Sequence, residues 1–145
     1  MNSCTASPAA AVAAVLIAIA SLAPSTGQAQ RHSQTVVIRG TLSAGLFVSM
    51  QASGPSGGTL TGQGFDVPPN GSGVSGAPGN PGTCEYTQNG SVSGTTVTLS
   101  GNVFASSNPS FIGVPVTTTA DASTGSITWN FGGFVFTGTG SVVIK

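Results

Sequence analysis

The sequence predicts an all-β protein, built as a single antiparallel β-sandwich or small barrel. Residues 126–131 alternate strictly, so Ile127, Trp129 and Phe131 share one face of a strand while hydroxyl and amide side chains share the other. Short β-branched or aromatic runs recur through residues 34–145, separated by glycine-containing turn signals. A strand with one apolar and one polar face indicates an antiparallel sheet, and about eight such strands in meander spacing indicate a sandwich or barrel.

The other strands are predicted from runs of the same kind. They fall at residues 35–39, 46–50, 96–100, 112–119, 134–137 and 141–144. Asn89-Gly90 predicts a two-residue hairpin turn, because both residue types tolerate positive φ. Asp121 is expected to cap the turn over residues 121–125, and Gly132-Gly133 is expected to form the next turn.

One segment departs from this pattern. Between residues 68 and 82, nine of fifteen residues are glycine or proline. Such a stretch cannot form an interior strand, since proline lacks a backbone donor and glycine loses more conformational entropy than other residues. Long loops in compact domains are usually functional or disordered, so a flexible Gly/Pro loop or exposed flap is expected at 68–82.

The pattern of residues 1–29 predicts an export signal. Residues 9–20 form an unbroken apolar run that suits a signal-peptide core of roughly 7–15 residues better than a membrane span of about 20. Small residues before the predicted cleavage point favour cleavage after Ala29, with Ala23 as the alternative. No lysine or arginine precedes the run, so an uncleaved anchor is the competing interpretation. Cleavage would leave one β-rich domain, residues 30–145, with no membrane span. This domain would be secreted, periplasmic or at the cell surface.

The chain is almost uncharged. Three basic and three acidic residues give a formal net charge of zero, and the chain has 22 glycines. Nucleic-acid binding needs clustered lysine and arginine, so the composition excludes that class of partner. Weak colloidal repulsion favours self-association or attachment to a surface, for example one made of glycan.

The sequence contains no convincing catalytic or cofactor motif. Residues 71–76 match G-x-G-x-x-G, but flanking prolines prevent the strand and helix that a nucleotide site requires. The sole histidine, His32, lies near the expected mature N-terminus, where an imidazole would not be held in place for catalysis. His, Cys and acidic residues nowhere have metal-ligand spacing, so no metal or other cofactor is expected.

Some smaller signals leave alternatives open. Cys84 would be the single cysteine of the mature domain, which fits either a buried thiol or an intermolecular disulfide. Asn70 and Asn89 begin glycosylation sequons, whose use depends on a eukaryotic secretory pathway. Thr-x-Thr occurs four times, which is ordinary on wet strand faces but is also how an ice-binding surface presents a regular hydroxyl lattice.

Three functions are therefore considered. The first is a non-enzymatic structural or adhesive protein, which would self-associate through exposed edge strands near residues 36–38 or 142–144. The second is a carbohydrate- or ligand-binding module, with Tyr86 as an exposed aromatic contact beside Glu85 and the Gly/Pro loop. The third is a small hydrolase whose two carboxylates, Asp66 and Glu85, approach each other at the base of that loop.

Overall fold

The computed structural model describes residues 32–69 and 84–145. Its strands are β1 (Ser33–Leu42), β2 (Phe47–Pro55), β3 (Leu60–Val67), β4 (Cys84–Ser93), β5 (Thr96–Ser106), β6 (Pro115–Asp121), β7 (Ser126–Phe131) and β8 (Phe134–Ile144). Short 3-10 turns lie at Ser43–Gly45 and Pro109–Phe111. Helices in these two ranges are all too short or too polar to cross a membrane. The predicted signal segment 1–29, and the Gly/Pro segment from residue 70 onward, lie outside the described residues.

The strands form a closed up-and-down barrel. Each strand pairs antiparallel with the next, and β8 pairs with β1. The predicted all-β fold is confirmed, and of its two forms the barrel is observed. Closure places Val36 opposite Ile144, and Ile38 opposite Val142. The edges expected to drive self-association are therefore paired with each other, so that predicted contact is wrong, because a closed barrel has no edge strands.

The two ends of the barrel differ. The β1–β2, β3–β4, β5–β6 and β7–β8 connections lie at one end, called the loop end below. The other end, called the terminal end, contains residues 32 and 145 and the three remaining turns. There the Thr35 amide donates to the Lys145 carbonyl at 2.8 Å. At the loop end Phe111 packs edge-on against Phe131, with ring centroids 5.3 Å apart.

Apolar side chains fill the interior. The predicted face of Ile127, Trp129 and Phe131 is buried, which confirms the alternation argument for β7. Trp129 and Tyr86 are the largest fully buried side chains, and their ring centroids are 6.1 Å apart. An eight-stranded barrel is just wide enough for side chains to fill it, and these two rings fill it towards the loop end.

Glycines allow neighbouring strands to approach closely. A Cβ on Gly90 in β4 would overlap the carbonyl oxygen of Thr98 in β5. Gly90 is therefore an interior strand residue, and the hairpin predicted at Asn89-Gly90 is wrong. The β4–β5 turn falls instead at Gly94-Thr95, where Gly94 has φ +60°.

Two further strand predictions need correction. Residues 134–137 and 141–144 belong to one continuous strand, β8, because Gly140 lies directly against the Arg39 backbone. The sequence patterns do not predict the strand β3. Its inward positions include Gly62, Gly64 and Asp66, so it lacks the apolar alternation that identifies a half-buried strand.

Candidate functional site

Three of the sequence-predicted residues lie inside the barrel near the loop end. Asp66 in β3 is the strand partner of Cys84 in β4, and Tyr86 follows two residues later on the same inward face. All three side chains are fully buried. The expectation that Tyr86 is an exposed aromatic contact is therefore wrong, since the alternation of β4 turns it towards the core.

Glu85 lies on the opposite side of the same wall. It is exposed and pairs across the strands with Phe65, whereas Asp66 faces inward. Consecutive strand residues point to opposite faces, so the two carboxylates are separated by the sheet itself. The structure therefore does not bring Asp66 and Glu85 together as the hydrolase hypothesis requires.

Burial dominates the chemistry of Tyr86. It raises the pKa of the phenol well above its ordinary value, and the nearby Asp66 carboxylate raises it further. The Trp129 side chain, whose ring centroid is 6.1 Å from that of Tyr86, opposes this rise. The phenol is thus held in its neutral form and acts as a polar member of the core.

Other buried polar groups lie deeper in the barrel. Gln88 and Thr118 are fully buried, and neither side chain hydrogen-bonds to any residue in the two described ranges. Both face the interior, on β4 and β6. Their enclosure by the core means that a dissolved substrate would not reach them without opening of the barrel.

The Cys84 thiol is also enclosed. It is fully buried and donates to the Ser106 hydroxyl at 3.3 Å. Of the two interpretations of Cys84, a buried thiol or an intermolecular disulfide, the structure shows the buried thiol. An intermolecular disulfide would require β4 to separate from β5, because the sulfur is not accessible in the folded barrel.

Asp121 acts in a turn. Its carboxylate accepts hydrogen bonds from the Ser123 hydroxyl, from the Thr95 hydroxyl at 2.9 Å, and from the Ser123 and Thr124 amides. These bonds hold the pKa of the carboxyl well below its usual range, the Ser123 and Thr95 hydroxyls having the largest effects. The predicted cap is confirmed. Across the described strands and turns, no three His, Cys, Asp or Glu side chains are grouped closely enough to hold a metal ion.

The outer surface of β2 and β3 differs from the rest of the wall. Four cross-strand rows follow one another there, and we call them the amide–aromatic face: Phe47 and Val67, Ser49 and Phe65, Gln51 and Gln63, Ser53 and Thr61. The rows span about 20 Å along the strands. The Phe47 and Phe65 rings are 6.3 Å apart and 37% and 40% exposed.

An open depression adjoins the two rings. It is lined by Gln51, Ser53, Thr61, Gly62 and Gln63, so amide and hydroxyl groups face solvent on its walls. Each amide offers both donors and an acceptor, and each hydroxyl can serve as either. The depression therefore offers a cluster of neutral hydrogen-bonding groups next to an aromatic pair.

Charged groups flank this face on both sides. Arg39 of β1 pairs with Ser49, and Glu85 of β4 pairs with Phe65, so both charges lie in the second row. Both side chains are exposed. The guanidinium and the carboxylate can form charge-assisted hydrogen bonds with hydroxyl groups of a ligand lying across the row. Glu85 is thus the predicted site residue that the structure places beside a candidate surface.

The outer wall on the other side of the barrel contains hydroxyl groups instead. Thr98, Thr119, Thr128 and Thr137 are successive partners across β5 to β8. We call this line the threonine row. It brings together members of three of the four Thr-x-Thr pairs, but the wall of a closed barrel curves, so the row does not form a flat lattice.

Sequence reasoning did not find the amide–aromatic face. Gln51, Gln63 and Phe65 are in no motif, and β3 itself was not predicted. The signal that could have located them is the alternation of larger side chains at the odd positions 61–67 with small residues, Gly62 and Gly64, between them. No family model, no curated protein and no solved structure matches the chain.

Proposed function

We propose that this protein is a non-catalytic, adhesive barrel that attaches to neutral polysaccharide through the amide–aromatic face. The observation that supports this proposal is the order of the rows on β2 and β3. Exposed aromatic rings come first, and the paired amides of Gln51 and Gln63 follow directly beside the open depression. This arrangement joins apolar and hydrogen-bonding contacts on one surface.

The chemistry of that face matches a sugar chain. Sugar rings present apolar C–H faces and hydroxyl edges, so aromatic rings can stack on the former while amides bind the latter. An open surface about 20 Å long accepts part of an extended chain rather than an enclosed small molecule. The near absence of charge favours a neutral polysaccharide over a polyanionic one.

Several placements favour binding over catalysis. Asp66 and Cys84 are enclosed in the core, while Glu85 is outside it. His32, the sole histidine, lies at the terminal end, where its carbonyl accepts from the Ser56 amide at 2.8 Å. The imidazole is thus at the other end of the barrel from the cysteine. The signal-like segment 1–29 supports a location outside the cytoplasm, either secreted or at the cell surface.

The proposal is tested by depletion of the purified protein onto insoluble neutral polysaccharides such as cellulose, chitin and xylan. Affinity for a soluble oligosaccharide of any polymer that binds is then measured by calorimetry. We expect Gln63→Ala and Phe65→Ala each to weaken binding at least about tenfold, because each removes one of the two kinds of contact. Both side chains are exposed, so the variants should fold.

The matched controls come from other parts of the outer wall. Thr119→Ala removes a hydroxyl from the threonine row, and Phe134→Ala removes an exposed ring from the β7–β8 hairpin. Neither should change affinity. Binding that is lost equally in Thr119→Ala, or retained in both face variants, would contradict the proposal, as would no binding to any neutral polymer.

A further inference from the structure

The two glutamines of the amide–aromatic face present free amide groups. Gln51 in β2 and Gln63 in β3 are strand partners, and both side chains are exposed beside the open depression. In the part of the chain that the structure describes, neither side-chain amide hydrogen-bonds to another residue. Each amide therefore offers both an acceptor oxygen and N–H donors to a ligand.

The shape of the barrel wall determines how far apart these two amides lie. Cross-strand neighbours have Cβ atoms about 5 Å apart, and on the convex outer side of a closed barrel the side chains diverge from there. A single hydroxyl oxygen bridges two amides only when they converge, since each hydrogen bond spans about 3 Å. The wider gap is better matched by a ligand group whose donor and acceptor lie on opposite sides.

A secondary amide is such a group. In its trans form the N–H and the C=O point away from each other, as they do when a central β-strand pairs with a neighbour on each side. Between Gln51 and Gln63, a ligand amide can donate to one side-chain carbonyl and accept from the other side-chain NH₂ group. Two hydrogen bonds then hold one ligand group from both sides.

The neighbouring rows match the two carbon substituents of such an amide. Because the substituents lie across its hydrogen-bonding direction, they point along the strands, towards the rows before and after the glutamines. On one side is the exposed Phe65 ring, whose strand partner Ser49 is small and leaves room for a methyl group. On the other side are the Ser53 and Thr61 hydroxyls, which line the depression and can bind sugar hydroxyls.

We propose that the amide–aromatic face selects polysaccharides of N-acetylated amino sugars, whose acetamido group lies between Gln51 and Gln63. The acetamido group consists of a methyl, a secondary amide and a link to the sugar ring, in the same order as the three rows. This inference rests on the proposed function and specifies which neutral polymer the face prefers. The site is a specificity determinant, because a sugar with a hydroxyl in place of the acetamido group forfeits both the methyl contact and the two-sided hydrogen bonding.

The test is calorimetry with three tetrasaccharides that share a β-1,4-linked glucose backbone and differ only at carbon 2, which bears an acetamido, a hydroxyl or an ammonium group. We expect the acetamido form to bind at least about tenfold more tightly than either of the others. Gln51→Met and Gln63→Met remove one amide each with little change in size, and each should reduce this preference at least about fivefold. Asn102→Leu, which removes an exposed amide on β5, should leave the preference unchanged.

Equal affinity for the acetamido and hydroxyl forms would overturn the inference, as would a preference that survives both methionine variants. Tighter binding of the ammonium form would also overturn it, because selection would then depend on charge. In each of these cases, loss of binding in Phe65→Ala would leave the proposed polysaccharide function standing. Absence of binding to every neutral polymer and oligosaccharide would instead overturn both the inference and the proposed function.

Discussion

Tyr86 shows how the direction of one side chain determines what a residue can do. The neighbouring residues 84, 85 and 86 alternate between core and surface, so Tyr86 and Cys84 are enclosed while Glu85 meets solvent. This alternation is visible in the sequence of β7, where hydrophobic and polar residues alternate. It is not visible at the start of β4, because tyrosine is found on both faces of strands and glutamine is usually exposed, yet Tyr86 and Gln88 both face inward.

Ionisation of Tyr86 should destabilise the barrel at high pH. Burial, and then Asp66, raise the pKa of the folded phenol above its unfolded value of about 10. The resulting stability is complete below pH 10 and is lost as the pH rises from there towards the folded pKa. The free energy of unfolding should therefore fall by up to about 1.4 kcal/mol per pH unit above pH 10.

Because Tyr86 is the only tyrosine, tyrosinate absorbance reports on it alone. We expect absorbance and unfolding to change together, and the alkaline slope of denaturant-derived stability to shrink in Tyr86→Phe. Ionisation near pH 10 with Trp129 fluorescence still that of the folded state would show that the phenol is accessible, contrary to the structure.

At the scale of strands, glycine is the residue whose role is hardest to predict from the sequence, because it occurs both in turns and inside strands. Gly90 and Gly140 look like turn signals, yet both lie inside strands, where a side chain would overlap the neighbouring backbone. The Gly132-Gly133 turn, by contrast, is where the sequence predicts it. Both kinds of glycine look alike in the sequence, because the close approach depends on the register of the neighbouring strand, which is β5 for Gly90 and β1 for Gly140.

Substitution of two glycines separates these roles. Gly90→Ala should destabilise the barrel by about 2 kcal/mol or more, because its Cβ would overlap the Thr98 carbonyl oxygen. Gly94→Asn should cost less than about 1 kcal/mol, since its Cβ has open space and asparagine tolerates positive φ.

Urea unfolding followed by Trp129 fluorescence measures both changes, and each variant serves as the control for the other. If Gly94→Asn were the more destabilising variant, the result would favour a turn at Asn89-Gly90. It would therefore contradict the register of β4 with β5.

Most of the strand positions could be predicted from the sequence, and the candidate site could not. Strands β5 and β7 alternate clearly because their inward residues are apolar. The strand β3 does not, since its inward glycines and Asp66 are small or polar. The amide–aromatic face depends on β3 and on its register with β2, and that long-range pairing leaves no local pattern in the sequence.

At the scale of the whole molecule, closure determines which surfaces are available. The pairing of β1 with β8 removes the edges that a lone sheet would expose, and the filled interior leaves the outer wall and the two ends for contacts. The two sides of the outer wall differ in chemistry, with aromatic and amide groups on β2–β3 and the threonine row on β5–β8. The ends are unequal too, because most exposed apolar side chains lie at the loop end.

The central claim is that the protein acts through the outer surface of β2 and β3, and NMR mapping of amide chemical shifts tests it most directly. A neutral oligosaccharide, taken from the polymer that retains the protein best, is titrated into the labelled protein. We predict that the largest shifts fall on the amides of Ser49–Ser53 and Thr61–Phe65, with those of the threonine row unchanged. Shifts concentrated on the threonine row or on the buried residues around Tyr86 would contradict the account.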